Sequence, residues 1–316
     1  MIFHVPVLVK TVIHFLVVNP SGIYVDGTIG GGGHAEVILN CLHKKGRLIG
    51  IDQDADAVTC CQERFFSYGN RIRIFHEAFE YADRLLTDLG ISEIDGFFLD
   101  LGVSSHQIDT RERGFSYLRE GPLSMQMNSS TFLSAQEVIN TYSERDLADI
   151  FFRYGEERFA RRIARAVVRE RGKNTIKTTG ELAALVRRIT PVRYHVKILS
   201  RIWQAIRIEV NDELGQLQRG LERIYPFLKT GARIVVISYH SLEDRFVKRF
   251  LRGENATFSQ FERQIMKSEF YFQVLTHRVI RPTKEEIQRN PRARSARLRA
   301  AEKCLPANLK TAEDAR

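Results

Sequence analysis

Short apolar runs separated by longer mixed segments organise the first hundred residues. The runs fall at residues 23–25, 48–51, 72–75 and 94–99. Between them, residues 35–42, 56–68 and 81–89 carry apolar positions at helical spacing. Strand-like runs alternating with helix-like segments predict a parallel sheet covered on both faces. The rhythm then stops. Residues 108–202 hold loops followed by helical patterns at 133–139 and 146–152. Over 156–171, Ala160, Ile163, Ala164, Val167 and Val168 make one apolar face, and Arg158, Arg161, Arg162, Arg165 and Arg169 lie mostly off it. Thr178 and Glu181 stand in capping-box spacing at the start of another helix. A long helix is predicted over 206–227, and a strand over 234–238 resumes the sheet. Residues 295–301 suit a last antiparallel strand, and 310–316 a frayed end. The expected organisation is therefore an α/β sheet domain from 1–107 and 206–316, with an inserted all-helical domain at 108–205. No repeat or low-complexity segment is present.

The first loop carries the densest chemical signal. Tyr24-Val25-Asp26 ends an apolar run, Gly27-Thr28-Ile29-Gly30-Gly31-Gly32-Gly33-His34 follows, and the next strand ends at Asp52. Strand, glycine loop, helix, strand and terminal acid form one half of a nucleotide-binding sheet. Glycine allows backbone N–H groups to approach a ligand that a Cβ would push away. Gly30, Gly32 and Ala35 fit the dinucleotide fingerprint. Asp26, Gly30 and Gly32 also fit the D-x-x-x-G-x-G loop of S-adenosylmethionine methyltransferases, so the loop leaves both open. The fourth run ends at Asp100, ahead of Leu101-Gly102-Val103-Ser104-Ser105-His106-Gln107. Ligands of open α/β sheets sit outside the carboxyl ends of the strands. Asp26, Asp52 and Asp100 all belong at that edge. Three carboxylates there favour a ligand with ribose and amine groups over one dominated by pyrophosphate.

Composition narrows the partners. The 316 residues are 43% hydrophobic and carry a formal net charge of +10, with an isoelectric point near 9.5. That balance favours a polyanion such as nucleic acid, and on charge alone a solvated basic surface weighs equally. Cys41, Cys60, Cys61 and Cys304 show no C-x-x-C spacing. Reduced thiols in a cytoplasmic protein are expected, with no metal site. No apolar run is long enough to span a bilayer, and the N-terminus lacks the basic region of a signal peptide.

The chain resembles the bacterial 16S rRNA cytosine-N4 methyltransferases of the RsmH (MraW) type. The resemblance rests on ordered runs spanning nearly the whole chain: His4-Val5-Pro6-Val7-Leu8, the loop from Asp26 to His34, Asp100 to Gln107, and Arg113-Gly114-Phe115-Ser116. It continues through Tyr154-Gly155-Glu156-Glu157, His240-Ser241-Leu242-Glu243-Asp244-Arg245 and Asn290-Pro291-Arg292-Ala293-Arg294-Ser295. The resemblance implies a Rossmann-like methyltransferase fold with a helical substrate domain inserted before the fifth strand. It implies S-adenosylmethionine as donor, and as acceptor the N4 of one cytidine in the decoding centre of 16S rRNA, within the small ribosomal subunit. A homodimer is left open. Cofactor contacts carried over by motif fall on Gly32, Gly33, His34, Asp52, Phe79, Asp100 and Gln107.

Physical roles suit these positions. Asp52 suits the ribose diol, and Phe79 an adenine ring. Asp100 faces the cofactor amine, the acceptor amine, or both. The catalytic set is Asp100, His240 and Asp244: His240 to orient the base or take a proton late, Asp244 to hold His240 or Arg245. The cytosine amine is a poor nucleophile, so positioning and preorganised acceptors must supply most of the acceleration. Two runs depart from the family pattern. Ser124, Gln126 and Asn128 replace two carboxylates and a cation, and residues 196–203 differ around Arg201. A nicotinamide-dependent oxidoreductase explains the loop and Asp52 but not the basic insert. A non-catalytic ribosome-binding assembly factor explains the charge but not the strand-end acids.

Overall fold

The computed structural model describes residues 6–254 and 270–305. The tail at 310–316, expected to fray, lies outside the described residues. The chain divides into two compact units: Met1–Gly102 with Leu214–Arg316, and Val103–Glu213.

In the first unit the apolar runs become strands β1 (Ile23–Asp26), β2 (Arg47–Asp52), β3 (Ile72–His76), β4 (Ile94–Asp100), β5 (Leu228–Ser238), β6 (Phe272–Val274) and β7 (Arg297–Lys303). They form one sheet in the order β3-β2-β1-β4-β5-β7-β6. The first five strands run parallel, and β7 is antiparallel to both β5 and β6. This is the Rossmann-like α/β methyltransferase fold. Before β5 the connections are α1 (Val9–Leu16) ahead of the sheet, then α2 (Gly33–Cys41), α3 (Ala55–Arg64) and α4 (Ala82–Asp88) between successive strands. Successive strand residues point to opposite faces, and both faces are covered. Val25, Phe97, Leu99, Ile234 and Val236 pack in one buried cluster. Their neighbours Tyr24, Phe98, Val235 and Ile237 pack in another. Continuous apolar runs are thus required, since neither face meets water.

The second unit is helical. It holds α5 (Ser105–Asp109), α6 (Ala135–Thr141), α7 (Glu144–Arg153), α8 (Ala160–Arg171), α9 (Thr179–Ile189) and α10 (His195–Asn211). Its own core includes Ile163, Ala164, Val167, Leu182, Val186, Ile202 and Ile206. Thr178 and Glu181 close the capping box expected of α9. Arg161, Arg162, Arg165 and Arg169 are exposed on α8, as its periodicity predicts, whereas Arg158 lies in the turn before it.

Two expectations need correction. The single helix over 206–227 is two helices: Asp212 adopts φ 46°, ψ 40° and breaks α10 from α11 (Glu213–Ile224). The unit boundary also differs from 107/108 and 205/206. Residue 206 lies inside the unbroken α10, whose Ile202 and Ile206 share one core, and 103–107 form the cap and first turn of α5. After β5 come α12 (Ser241–Leu251) and α13 (Lys284–Arg289).

Candidate active site

β1 is flanked by β2 on one side and β4 on the other. The chain builds outward from β1 to β3, then returns to continue on the other side. Such a reversal opens a crevice at the carboxyl ends of the two strands concerned. Asp26 and Asp100 end those strands, and Asp52 ends the neighbouring β2. The structure therefore assembles the three acids at one sheet edge.

Asp26 is 1% exposed. Its Oδ1 accepts the Thr28 N–H at 3.2 Å, and its Oδ2 has no hydrogen-bond partner among the described residues. Burial, reinforced by the nearby Asp100 and Asp52 charges, pushes its carboxyl up to about 8. At neutral pH it carries a proton. Asp52 is more fully engaged. Its Oδ2 accepts the Gly30 N–H at 2.8 Å and its Oδ1 the Asp54 N–H at 2.9 Å. Burial raises it to about 6, against those two hydrogen bonds. Each of its oxygens retains a second lone pair for a ligand. Asp100 is oriented from both ends. Its backbone N–H donates to Thr28 Oγ1 at 2.7 Å, and its Oδ1 accepts the Tyr239 hydroxyl at 3.0 Å. Burial, then the Asp100 charge, holds the Tyr239 phenol well above its ordinary range, so it stays a donor.

His34 stands in the first turn of α2 and is buried. Its Nε2 lies 2.8 Å from the Val7 carbonyl. A carbonyl only accepts, so Nε2 carries the ring proton. Burial pushes the imidazole down to about 4, and it is neutral at pH 7. Its bare Nδ1 then faces Asp100 Oδ2 at 3.6 Å. With the imidazole neutral, this approach of two acceptors is not an ion pair.

The glycine loop is tight for reasons beyond a ligand. Gly30 and Gly32 take φ 51° and 79°, in the region that favours glycine. A Cβ on Gly32 would fall 2.5 Å from the Phe65 ring, and one on Gly33 would meet the Pro6 ring at 3.0 Å. Side chains packed against the loop thus favour glycine at 32 and 33 independently of any ligand approach.

The remaining expected residues are placed as follows. Phe79 begins a short 3₁₀ turn and belongs to the sheet core; a Cβ on Gly220 would stand 2.7 Å from its ring. At 8% exposure most of its surface is buried in that core. Gln107 belongs to the second unit, where it closes the Ser104 capping box of α5. His240 is the N-cap of α12. Its Nδ1 accepts the Glu243 N–H at 3.4 Å, and Glu243 Oε2 accepts the Tyr239 and His240 N–H groups. Asp244, expected to hold His240 or Arg245, grips Arg299 of β7 through contacts of 2.6 and 3.2 Å. The guanidinium fork fits both carboxylate oxygens, a geometry a histidine cannot match.

Thr28 and Tyr239 are residues the sequence left off the candidate site, and Asp26 was placed at the ligand edge without a role of its own. Tyr239 had a signal, for it immediately precedes His240 at the end of a predicted strand. Thr28 had none beyond its place in the loop.

Fold and acid edge together define a Rossmann-like methyltransferase. The chain belongs to the MraW methylase family, whose model matches residues 1–304. It is 45% identical to the ribosomal RNA small subunit methyltransferase H of Caldicellulosiruptor bescii over 95% of this chain and 99% of that one. It is 44% identical to the protein of the same name from Geotalea uraniireducens, over 95% and 98%. A solved rRNA methylase from Streptococcus thermophilus aligns over 94% of both chains with 12% identity and a TM-score of 0.42, a likeness too loose to carry any residue across.

Proposed function

We propose that this chain methylates the N4 amine of a cytidine in the decoding centre of small-subunit rRNA, with S-adenosylmethionine as donor. The observation that carries the reading is the acid edge. A buried, unpartnered Asp26 oxygen and two oriented carboxylates suit a cationic ligand that also bears a ribose diol. The same edge would repel a pyrophosphate, which argues against a nicotinamide cofactor. The relatives' name supplies the acceptor class.

In this reading Asp52 accepts from the ribose hydroxyls. The first turn of α2, which no side chain caps, favours the cofactor carboxylate. Asp26 and Asp100 face the amine and sulfonium region. For Gln107 and Phe79 the cofactor contacts are those that the family resemblance implies. Bound there, the cofactor supplies an electrophilic methyl group.

Asp100, fixed by Thr28 and Tyr239, accepts from the acceptor amine and holds it in line. The neutral His34 Nδ1 offers a second acceptor beside it. His240, at the end of β5 where it caps α12, orients the target base or takes a proton late, and Asp244 ties α12 to β7. The exposed arginines of α8 meet RNA phosphates. A target within paired RNA would be flipped out, at a cost of a few kcal/mol.

The test is transfer of the tritiated methyl group to small-subunit particles lacking the modification, followed by mass mapping of the rRNA. One labelled cytidine carrying an exocyclic methyl is expected. Label on ring carbon or ribose would overturn the N4 assignment. Tight particle binding with no transfer would make the chain an assembly factor.

A further inference from the structure

The sheet has a second charged edge, opposite in sign to the first. β2 and β3 begin where the turn after α2 and the 3₁₀ segment before β3 come together. Lys44, Lys45, Arg47, Asn70 and Arg71 line one concavity there, of about 450 Å³. Arg47 and Asn70 also line an adjoining one of about 150 Å³, together with Arg73. No acidic side chain lines either. Among the described residues, Lys44, Lys45, Arg47 and Arg73 make no ion pair, although all four are exposed. Five cations therefore share one edge, with no acidic partner for them among the described residues.

The display is fixed by the backbone. The turn bearing the two lysines is closed by the Gly46 N–H on the His43 carbonyl at 3.0 Å and tied to the Pro20 carbonyl through the His43 N–H at 2.8 Å. A Cβ on Gly46 would fall 2.5 Å from that same carbonyl. Arg71 is anchored on the Leu39 and Leu42 carbonyls, at 2.7 and 3.0 Å, and its guanidinium lies over the Tyr68 ring. Parallel register then sets Arg73 beside Ile49, one step into the sheet. β2 runs from Arg47 to Asp52, so about 16 Å separates this edge from the acid edge.

We propose that this basic edge is a second RNA contact, gripping backbone phosphates of the small-subunit rRNA away from the target nucleotide. The occupant follows from the lining. Guanidinium and ammonium groups are presented, but no exposed aromatic ring lines either concavity, so phosphates and not bases are recognised. The acid edge cannot serve, since it repels phosphate. A large RNA substrate reaches both edges, and holding it at two separated places fixes its orientation at the acceptor site. The inference rests on rRNA being the substrate.

The test replaces Lys44, Lys45 and Arg47 with Ala and measures affinity for small-subunit particles across a potassium chloride series. Losing three phosphate contacts should flatten the log K against log salt slope by about 2–2.7 units. Affinity should fall at least tenfold at low salt, with S-adenosylmethionine binding and melting temperature unchanged. The charge-conserving Lys44→Arg/Lys45→Arg variant should keep the wild-type slope. An unchanged slope in the triple alanine variant overturns the proposal. So does weaker binding to heparin with particle affinity intact, which would mark a general polyanion surface. Absence of methyl transfer by the wild-type protein would sink the proposed activity instead, and is read in a separate assay.

Discussion

Asp26 offers the sharpest physical test, because the acid edge is built at the expense of stability. Its carboxyl is pushed from an ordinary 3.8 up to about 8, first by burial and then by the Asp100 and Asp52 charges. A carboxyl with a raised folded-state value contributes stability that is fully present below its unfolded value. That stability is lost as pH rises through the folded value. Between pH 5 and 8 the unfolded chain has already released this proton while the folded chain still holds it. The resulting loss is about 3–4 kcal/mol, a large share of a domain's total of about 5–15 kcal/mol. Asp26→Asn is neutral at every pH and escapes this loss. Its amide oxygen can still accept from the Thr28 N–H, and an unpaired NH₂ would cost about 1–3 kcal/mol. Urea titrations at pH 5, 6, 7 and 8 compare the two proteins. The stability difference in favour of the variant should grow by about 3–4 kcal/mol across the series. Because Asp52 titrates in both, its own contribution cancels to first order. A difference that stays constant within about 0.5 kcal/mol would refute the assignment of a protonated Asp26. The gain comes with a functional loss. A cationic ligand draws the proton off Asp26, so cofactor binding near pH 7 should release a proton in the wild type and less in the variant. Calorimetry in two buffers of different ionisation enthalpy reads that difference.

Asp52→Ala should weaken S-adenosylmethionine binding by at least tenfold, since charge-assisted hydrogen bonds contribute roughly 1.5–3 kcal/mol each; unchanged affinity in calorimetry would reject the ribose assignment. Replacing Arg161 and Arg162 with Ala should flatten the salt dependence of RNA binding by about 1.5–2 units. If the slope holds, the exposed face of α8 is a solvated surface. Asp100→Asn should lower kcat and kcat/KM together in single-turnover assays; full rescue by excess cofactor would make Asp100 a binding residue only. His240→Ala should cost about 1 kcal/mol through the lost cap of α12, and should slow methyl transfer more than it weakens RNA binding. Wild-type rates at saturating cofactor and RNA would leave His240 a cap and nothing more.

The sheet was legible because burial on both faces forces continuous apolar runs. β1 to β4 lie within a residue or so of the runs that predicted them, and β7 appears as the antiparallel strand expected near 295–301. What failed was conformational, not compositional. Asp212 takes a left-handed backbone between two strongly amphipathic stretches. A helical period runs through such a break almost unchanged, so 206–227 looked continuous. The three-residue β6 is too short to show a period at all.

The acids of the site were legible by position, but their partners were not. Strand-end placement of Asp26, Asp52 and Asp100 follows from where each apolar run stops. Which group orients Asp100 depends on β4 and β5 lying side by side, a long-range pairing that brings Tyr239 within 3.0 Å across 139 residues. The same limit hid a partner of Asp244. Neighbours in sequence suggested His240 or Arg245, and β7, lying beside β5, also delivers Arg299. Protonation lay further out of reach, because it depends on burial and on three charges converging. That convergence also bears on the reading of the site. An edge designed only for stability would not bury an acid with an orphaned oxygen beside two others, since each raises the cost of ionising the next. Nor would it aim a bare imidazole nitrogen at a carboxylate 3.6 Å away. Each arrangement gains when a donor or a positive charge enters beside it, and in that way the acid edge supports the proposed cationic cofactor.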